Sequence, residues 1–517
     1  MSSALTLDSV LAAMEAPLQG ATIQKTDNPD FMGTIDDWNI CHRSFLNPSG
    51  SSSARAFDAE DFLTHFFQQP PSLRLSLCAF AALYDQNQHL IEGTADDYAV
   101  RARKAVIQEV LDGNLSYKTV QACTAIARYA IWKGTPAISV QFMDLSFKLI
   151  RDLRLNVDPD DSPWLASLSL TPRQREERRR IFWETDDHSE SDIACELMKR
   201  PNQIIDPHPI FKNFVARVWE CNVLRLIAKI KHCYSTPPAS VQELLSSDYT
   251  SSLHEIFDAL HTSVPVGFVL TSKNPGFLTQ EEESRFVSKV ALADDVIPAL
   301  SLNLFASISL YHRPVMMLSS LRSFNPLFLD PGALHQIYKS TSECINSAPR
   351  ITSLFSFTVK MHKTAPLNVR HLYDIINGSY PAFEAMIVIW FCQCRMDPFW
   401  WNFLPHQITD LQGLRQRLGI MIEYVIEMNE FEGGTGASSP ILQCMTLMLK
   451  DMDAIYLMDT TRALHSIETE FSLQVSSIDG ETCNVESNSF MGLLGLDVCG
   501  IRWKGLSDDI WRQFYFT

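Results

Sequence analysis

The stretch TPRQREERRRIFWETDDHSESD, residues 171–192, decides how the rest of the chain is read. Five arginines fall within residues 173–180, bulky apolar residues occupy 181–183, and five acids lie within 184–192. Three readings compete: a basic arm that grips phosphates, a carboxylate cluster that holds a metal, or a helix built into a fold. Thr171 is a good N-cap, Pro172 suits the first helical position, and Gln174 stands where a capping box needs it. Glu176 precedes Arg180 in the favourable helical order, and Gln174 can meet Arg178. The arginines therefore sit on the first turns of a helix with their charges partly matched, and Ile181, Phe182 and Trp183 enter a core. A phosphate-gripping arm needs unpaired positive charge along one face, and here glutamates interleave. Asp186, Asp187, His188, Glu190 and Asp192 lack the turn glycine and the alternating spacing of a calcium loop. They read as a solvated face of a weak helix.

Helical periodicity surrounds this segment. FDAEDFLTHFFQQPP (57–71) reads as a short amphipathic helix stopped by Pro70 and Pro71. SLRLSLCAFAALY (72–84) is apolar on most sides and suits a buried helix. Thr119 to Trp132 puts Val120, Cys123, Ala127, Ala130 and Ile131 on one stripe, small enough for close helix approach. Gly134 ends that helix and Pro136 starts the next. There Val140, Met143, Phe147 and Ile150 form one face, with Leu145, Leu149 and Leu153 beside it. NVDPDDSPW (156–164) interrupts the pattern. Further helices are expected over 213–232, 252–263, 279–320, 332–347, 367–375, 382–396, 408–430 and 441–465, with a loop at 431–440. Alternating strand-type runs are scarce. The expected fold class is all-α: a large irregular bundle of packed antiparallel helices with no substantial sheet. The expected organisation is a polar, partly disordered leader over 1–55, a helical body over 56–465 and an acidic, aromatic tail over 466–517.

Composition narrows the function. The chain has 517 residues, 46% of them hydrophobic, and a net charge of −17. That field repels nucleic acid, so DNA contact requires a separate basic module, and none is visible. Twelve cysteines are scattered without a framework and read as small buried hydrophobes of an intracellular chain. The opening MSSALTLDSVLAAMEAP has neither the basic flank nor the apolar core of a signal peptide. The longest apolar runs, Ile297–Leu310 and Phe383–Cys392, are too short for a bilayer and suit buried helices; the second carries Glu384.

The order of segments resembles the fungal-specific transcription factor domain, the middle homology region of fungal binuclear zinc cluster regulators. Thr119, Val120 and Gln121 match its TVQ element. Arg151, Leu153 and Leu155 match the end of its second helix, where the family reads LGL. Glu176 to Arg180 with Phe182 and Trp183 match its EERRR.FW element, and Arg200, Pro201 and Ile204 match its GRP..I element. Tyr311 to Pro314 resembles its LHRP segment. The likeness extends over residues 57–320. The chain departs from the family at ETDDHSES (184–191), where an Asp-Arg pair is usual, and at Lys199, which replaces a glycine.

The resemblance implies an all-helical regulatory domain that modulates RNA polymerase II transcription in a fungal nucleus. Family regulators also carry six N-terminal cysteines that hold two zinc ions and a DNA-reading helix. Here only Cys41 and Cys78 fall in the first hundred residues, and no C-x2-C pair exists anywhere. Cys392 and Cys394 suit core packing, and Cys221, His232 and Cys233 lack a fourth ligand. No metal, cofactor, catalytic or DNA-binding residue is therefore assigned. The chain reads as the regulatory part without its reader, either a natural cluster-less member or a sequence lacking its first exon.

Nothing points to an enzyme. HExxH, P-loop, G-x-S-x-G and dinucleotide motifs are missing, and GGTGASS (433–439) reads as a linker. His312 is a helix-end or packing residue, and His254 and His261 share a helix face. LSDDIWRQFYF (506–516) mixes acids with aromatics, as activation segments do, though its apolar groups suit docking on the body. The expected partners are the transcription machinery, a homodimer or heterodimer mate, and DNA only indirectly or through a missing N-terminal module; no membrane is expected. The alternatives are an interaction module that pairs with a full-length zinc cluster regulator, with helix 408–430 as its interface, and a helical enzyme or ligand-binding protein unrelated to transcription.

Overall fold

The structure is a computed structural model that describes residues 30, 32–45, 59–84, 90–91, 93–133, 135–186, 214–235, 244–269, 279, 281–282, 284, 296–320, 324–364, 376–394, 396–403, 411–431 and 438–457. These residues are helices and short connections, with no strand among them. They fall into two compact units, one over described residues up to 186 and one from 214 onward.

The first unit contains α1 (Ile35–Phe45), α2 (Ala59–Thr64), α3 (Pro71–Tyr84), α4 (Thr94–Leu111), α5 (Tyr117–Trp132), α6 (Pro136–Asp152) and α7 (Pro172–Asp186). Helix α3 packs on α1, α4 and α5, and α5 packs in turn on α6 and α7. Residues 72–81 of α3 are buried on every side, as their composition demands. Helix α1 lies within the expected leader, yet Trp38, Ile40, Cys41 and Phe45 belong to the core. Aromatic and aliphatic side chains such as Phe62, Phe66, Phe80, Ile126 and Phe182 fill the centre.

The local expectations need four corrections here. Pro71 does not stop a helix but opens α3; the preceding segment is α2, a turn at His65 and a 3-10 turn over Phe66–Gln68. Proline fits because a first-turn N–H has no helical acceptor anyway. Helix α5 buries far more than one stripe: Thr119 to Ala127 are all buried, polar Thr119, Gln121 and Thr124 included. On α6 the inward face runs through Ser139, Phe142, Met143, Ser146, Leu149 and Ile150, while Val140 is 45% exposed. The NVDPDDSPW segment is not plain loop but contributes 3-10 turns at Pro159–Asp161 and Pro163–Leu168.

The end of α6 carries Arg154 between Leu153 and Leu155. Leu155 N–H donates to Ile150 O and Arg154 N–H to Arg151 O, the bonding of a Schellman cap. Arg154 takes the left-handed position of that cap with φ 52°, where glycine carries no penalty. Its guanidinium sits 4.8 Å over the Trp164 ring, which offsets part of the cost.

The second unit contains α8 (Phe214–Ser235), α9 (Ser247–Ser263), α10 (Val296–Met316), α11 (Pro331–Thr364), α12 (Ile376–Cys394), α13 (Leu411–Phe431) and α14 (Ser438–Leu457). Helix α10 packs on α8, α11 and α12; α13 lies on α11, and α14 on α12. Several helices outrun their expected bounds: α8 ends at Ser235, α9 begins at Ser247, and two run across a proline. Helix α11 continues through Pro349 to Thr364, and α12 begins at Ile376, ahead of Pro381. An internal proline removes one hydrogen bond and costs roughly 3 kcal/mol. Burial of Ile351, Leu354 and Phe355 beyond Pro349, and of Ala382, Phe383 and Met386 beyond Pro381, outweighs it. Residues 438–440, placed in the expected loop, form the first turn of α14. Trp400, fully buried, donates from its indole to Phe324 O at 2.9 Å and fixes the 324–329 turn. Among the described residues no helix is long and apolar enough to cross a membrane. The expected helix over 367–375, the 466–517 tail and residues 187–213 lie outside the described residues.

The phase of α6 is directly testable. Phe142→Ala should destabilise the chain by about 3–5 kcal/mol, because a buried ring leaves a cavity, while Val140→Lys should stay within about 0.5 kcal/mol. Urea unfolding of the two variants distinguishes the observed face from one that includes Val140.

Candidate functional site

Residues 178–183 are helical, and α7 carries the polar centre of the first unit. The capping box forms as its spacing requires. Thr171 N–H donates to Gln174 Oε1 at 2.9 Å, and Gln174 N–H donates to Thr171 Oγ1 at 3.2 Å. The arginines then take individual roles. Arg175 pairs with Asp160 at 3.0 Å near the surface. Arg178 leaves Gln174 aside and lies 5.3 Å over the Tyr117 ring, where burial lowers its basicity. Arg179 grips Asp158 with two parallel bonds, Nε to Oδ2 at 2.9 Å and Nη2 to Oδ1 at 2.8 Å. It also donates to Asp160 at 2.7 Å and to Glu176 on its own helix. So Glu176 serves Arg179, three residues on. Arg180 is 1% exposed and Ile181 and Phe182 are buried beside it.

The side chains of Arg179 and Asp158 are 7% and 0% exposed, so this pairing works in a dry setting. The hydrogen bonds to Asp158, against the opposing effect of burial, raise the Arg179 pKa above its already high value, and its charge is permanent. Asp158 also accepts Asp160 N–H at 3.0 Å, which shapes the turn that presents both acids. Sequence reading treated 156–164 as an interruption and missed these partners. The Asp-Pro step at 158–159, a turn initiator with a capping carboxylate, was the available signal.

Elements separated in sequence meet around α7. Gln121 of α5 donates from Nε2 to Glu177 Oε1 at 3.1 Å, and burial raises the pKa of Glu177. Thr124 of α5 lies 3.3 Å from Ser146 Oγ of α6 and 3.4 Å from Thr185 Oγ1 of α7, all three buried. The side chains of Trp183 and of the acids from Asp186 onward lie outside the described residues.

The second unit has its own buried charges. Arg313 of α10 donates through Nη1 to both carboxylate oxygens of Glu384 on α12, at 3.1 and 2.9 Å, and both side chains are 1% exposed. Lys231 of α8 sits 4.5 Å over the Tyr380 ring, and burial lowers its pKa to about 8. A single acid inside an apolar run is a signal of a buried partner; Glu384 was visible in the sequence, its partner was not. Beside this pair, Phe257 stacks between His261 and Tyr311 at 4.1 and 4.5 Å. His254 Nδ1 meets Tyr311 Oη at 3.2 Å, His261 Nε2 meets Ser307 Oγ at 3.2 Å, and His312 Nδ1 meets Ser340 Oγ at 3.2 Å. His312 is thus a packing residue inside α10, which runs on past Pro314 to Met316. Burial holds His261 and His312 neutral, with pKa values of about 4 and about 3, too weak for proton abstraction near neutral pH.

Cys41, Cys78, Cys392 and Cys394 are buried, as is Cys221, whereas Cys233 is partly buried and His232 exposed. Among the described residues no group of three or more His, Cys, Asp or Glu is placed to hold a metal ion. Helix α13, the expected interface, spends Leu418, Met421, Ile422 and Val425 on the core and leaves Ile426 exposed.

The model of the fungal specific transcription factor domain matches residues 38–185. The match opens in α1, ahead of the likeness read at 57, and closes on Thr185 in α7, so the 199–204 and 311–314 elements lie beyond it. No curated protein and no solved structure matches the chain.

Two outcomes are expected. Arg179→Met strands buried carboxylates and should cost roughly 3–5 kcal/mol in urea unfolding, whereas Arg175→Ala, at an exposed pair, should cost less than about 1 kcal/mol. His261 and His312 have folded pKa values below the usual 6.5. Below that pH the unfolded chain binds protons that the folded chain refuses, so stability falls as pH drops from 6.5 toward 3. The urea midpoint of His312→Gln should fall less between neutral pH and about pH 4 than that of the parent chain.

Proposed function

Residues 38–185 being a fungal specific transcription factor domain, we propose that the chain is the regulatory body of a fungal nuclear transcription regulator acting at RNA polymerase II promoters. The domain match, closing on the arginine-rich helix, is the observation that carries this reading. The arginines support a structural role: Arg175, Arg178 and Arg179 engage Asp160, Tyr117 and Asp158, and Arg180 is buried. With the net charge of −17, this favours DNA contact through another module or another chain. Such a body acts by favouring an active or an inhibited arrangement through differential binding of an effector or partner.

The test is transcriptional. Fused to an unrelated sequence-specific DNA-binding module in a fungal nucleus, the chain should change reporter output several-fold relative to that module alone. The Arg179→Met fusion should lose the effect in proportion to its loss of folded protein. An unchanged reporter with folded, nuclear fusion protein would count against the reading. A reporter that responds only when a zinc cluster regulator is co-expressed would favour the pairing module instead.

A further inference from the structure

The first unit holds a second buried polar centre, where α1 meets α3. Arg74 of α3 is 1% exposed and donates from Nη1 to Gln69 O at 3.3 Å and from Nη2 to Asp30 O. Residues ahead of α1 fold so closely over it that a Cβ at Gly33 would lie 2.9 Å from Arg74 Cδ and 3.0 Å from the Phe66 ring. Asp37 accepts Thr34 N–H at 2.9 Å and the Tyr98 hydroxyl of α4 at 2.5 Å. Trp38 donates from its indole to Leu63 O at 3.1 Å. These bonds tie α1 to α2 and α4 and the residues ahead of it to α3, and α1 packs on α3. In that packing Cys41 Sγ and Cys78 Sγ stand 3.6 Å apart, and neither residue has exposed surface. The Cys78 thiol also approaches Asp37 O at 3.8 Å.

We propose that Cys41 and Cys78 are a latent disulfide, a modification site at which a hydroperoxide oxidant locks α1 covalently onto α3. A disulfide places its sulfurs about 2.05 Å apart, so closure needs a shift of about 1.5 Å from the observed 3.6 Å, shared between two side chains. With hydrogen peroxide the atoms balance as follows. One thiolate sulfur attacks a peroxide oxygen, the O–O bond breaks, and a sulfenic acid and one water result once the hydroxide takes up a proton. The second thiol attacks that sulfur; the S–S bond forms, the S–O bond breaks, and the second water leaves. Two thiols lose two electrons, and one hydrogen peroxide is reduced to two waters.

Burial sets the rate. It raises the pKa of the Cys41 thiol well above its usual range, and it excludes peroxide from the closed pair. Oxidation therefore proceeds when α1 lifts from α3, and the bond then traps the helix in the register it regains. Because the domain match opens at Trp38, the lock acts on the first helix of the matched domain.

The test uses the full chain, reduced and then exposed to hydrogen peroxide under native conditions. Remaining thiols are alkylated, and unreduced peptides are mapped by mass spectrometry. A Cys41–Cys78 linked peptide should dominate the cross-links. The thermal midpoint of the first unit should rise by several degrees, and dithiothreitol should reverse both changes. Cys78→Ala should abolish the rise, while the peptide map of the parent chain needs no variant. Recovery of Cys41 and Cys78 as alkylated or separately over-oxidised thiols while other cysteines react would overturn the proposal. So would cross-links spread without preference over many pairs.

Discussion

A permanent positive charge held in a dry setting organises the first unit. Arg179 cannot shed its proton, so its guanidinium must find acceptors wherever α7 places it. Asp158 supplies a bidentate pair, and Asp160 and Glu176 take further donors. Removing one partner from such a group costs several kcal/mol, which exceeds what most single packing contacts contribute. Helix α7 has no long apolar stripe to guide it: apolar side chains begin only at Ile181. Its position along the 158–161 turn is therefore fixed by charge geometry, and that position delivers Ile181 and Phe182 to the core. The capping box at Thr171 sets where the helix starts, so cap and ion pair together determine which residues of the arginine run face inward.

The same constraint recurs independently in the second unit. Arg313 and Glu384 lie among apolar residues on α10 and α12 and pair with each other. Sliding either helix by one turn would leave a charge without its partner in apolar surroundings. The pair thus selects one register between two helices whose apolar faces alone would tolerate several. Lys231 adds a second cation, weakened by burial and resting on the Tyr380 ring. The stacked Phe257, His261 and Tyr311 rings seal the neighbouring α9–α10 contact, with His261 acting as a flat neutral group.

Local signals were legible where one residue type has one physical use. The Thr171 cap, the all-round burial of α3 and the all-helical class follow from spacing and composition. What escaped depended on partners far along the chain. Asp158 looked like loop because its partner lies 21 residues away. The expected face of α6 holds at Met143, Leu149 and Ile150 but fails at Val140, because Ser139 and Ser146 look solvent-facing while Val140 looks buried. Periodicity gives the phase of an amphipathic helix only when polar residues stay outside, and here Ser146 is needed inside for Thr124. The expected helices stopped short of Pro349 and Pro381, since the burial beyond each proline that compensates for it depends on packing against distant helices.

The contacts at α7 also explain why the family likeness is carried by order and spacing. The TVQ element contributes Gln121, which meets Glu177 of the EERRR element. Thr124, one turn further along α5, joins Ser146 and Thr185 from the helices that follow. The TVQ and EERRR elements of the likeness therefore meet at a polar joint between α5 and α7. Such joints specify how helices assemble and carry no chemistry directed at a ligand. A chain can keep such joints whatever it binds. The match over residues 38–185 therefore speaks to architecture, and fold alone assigns no binding specificity.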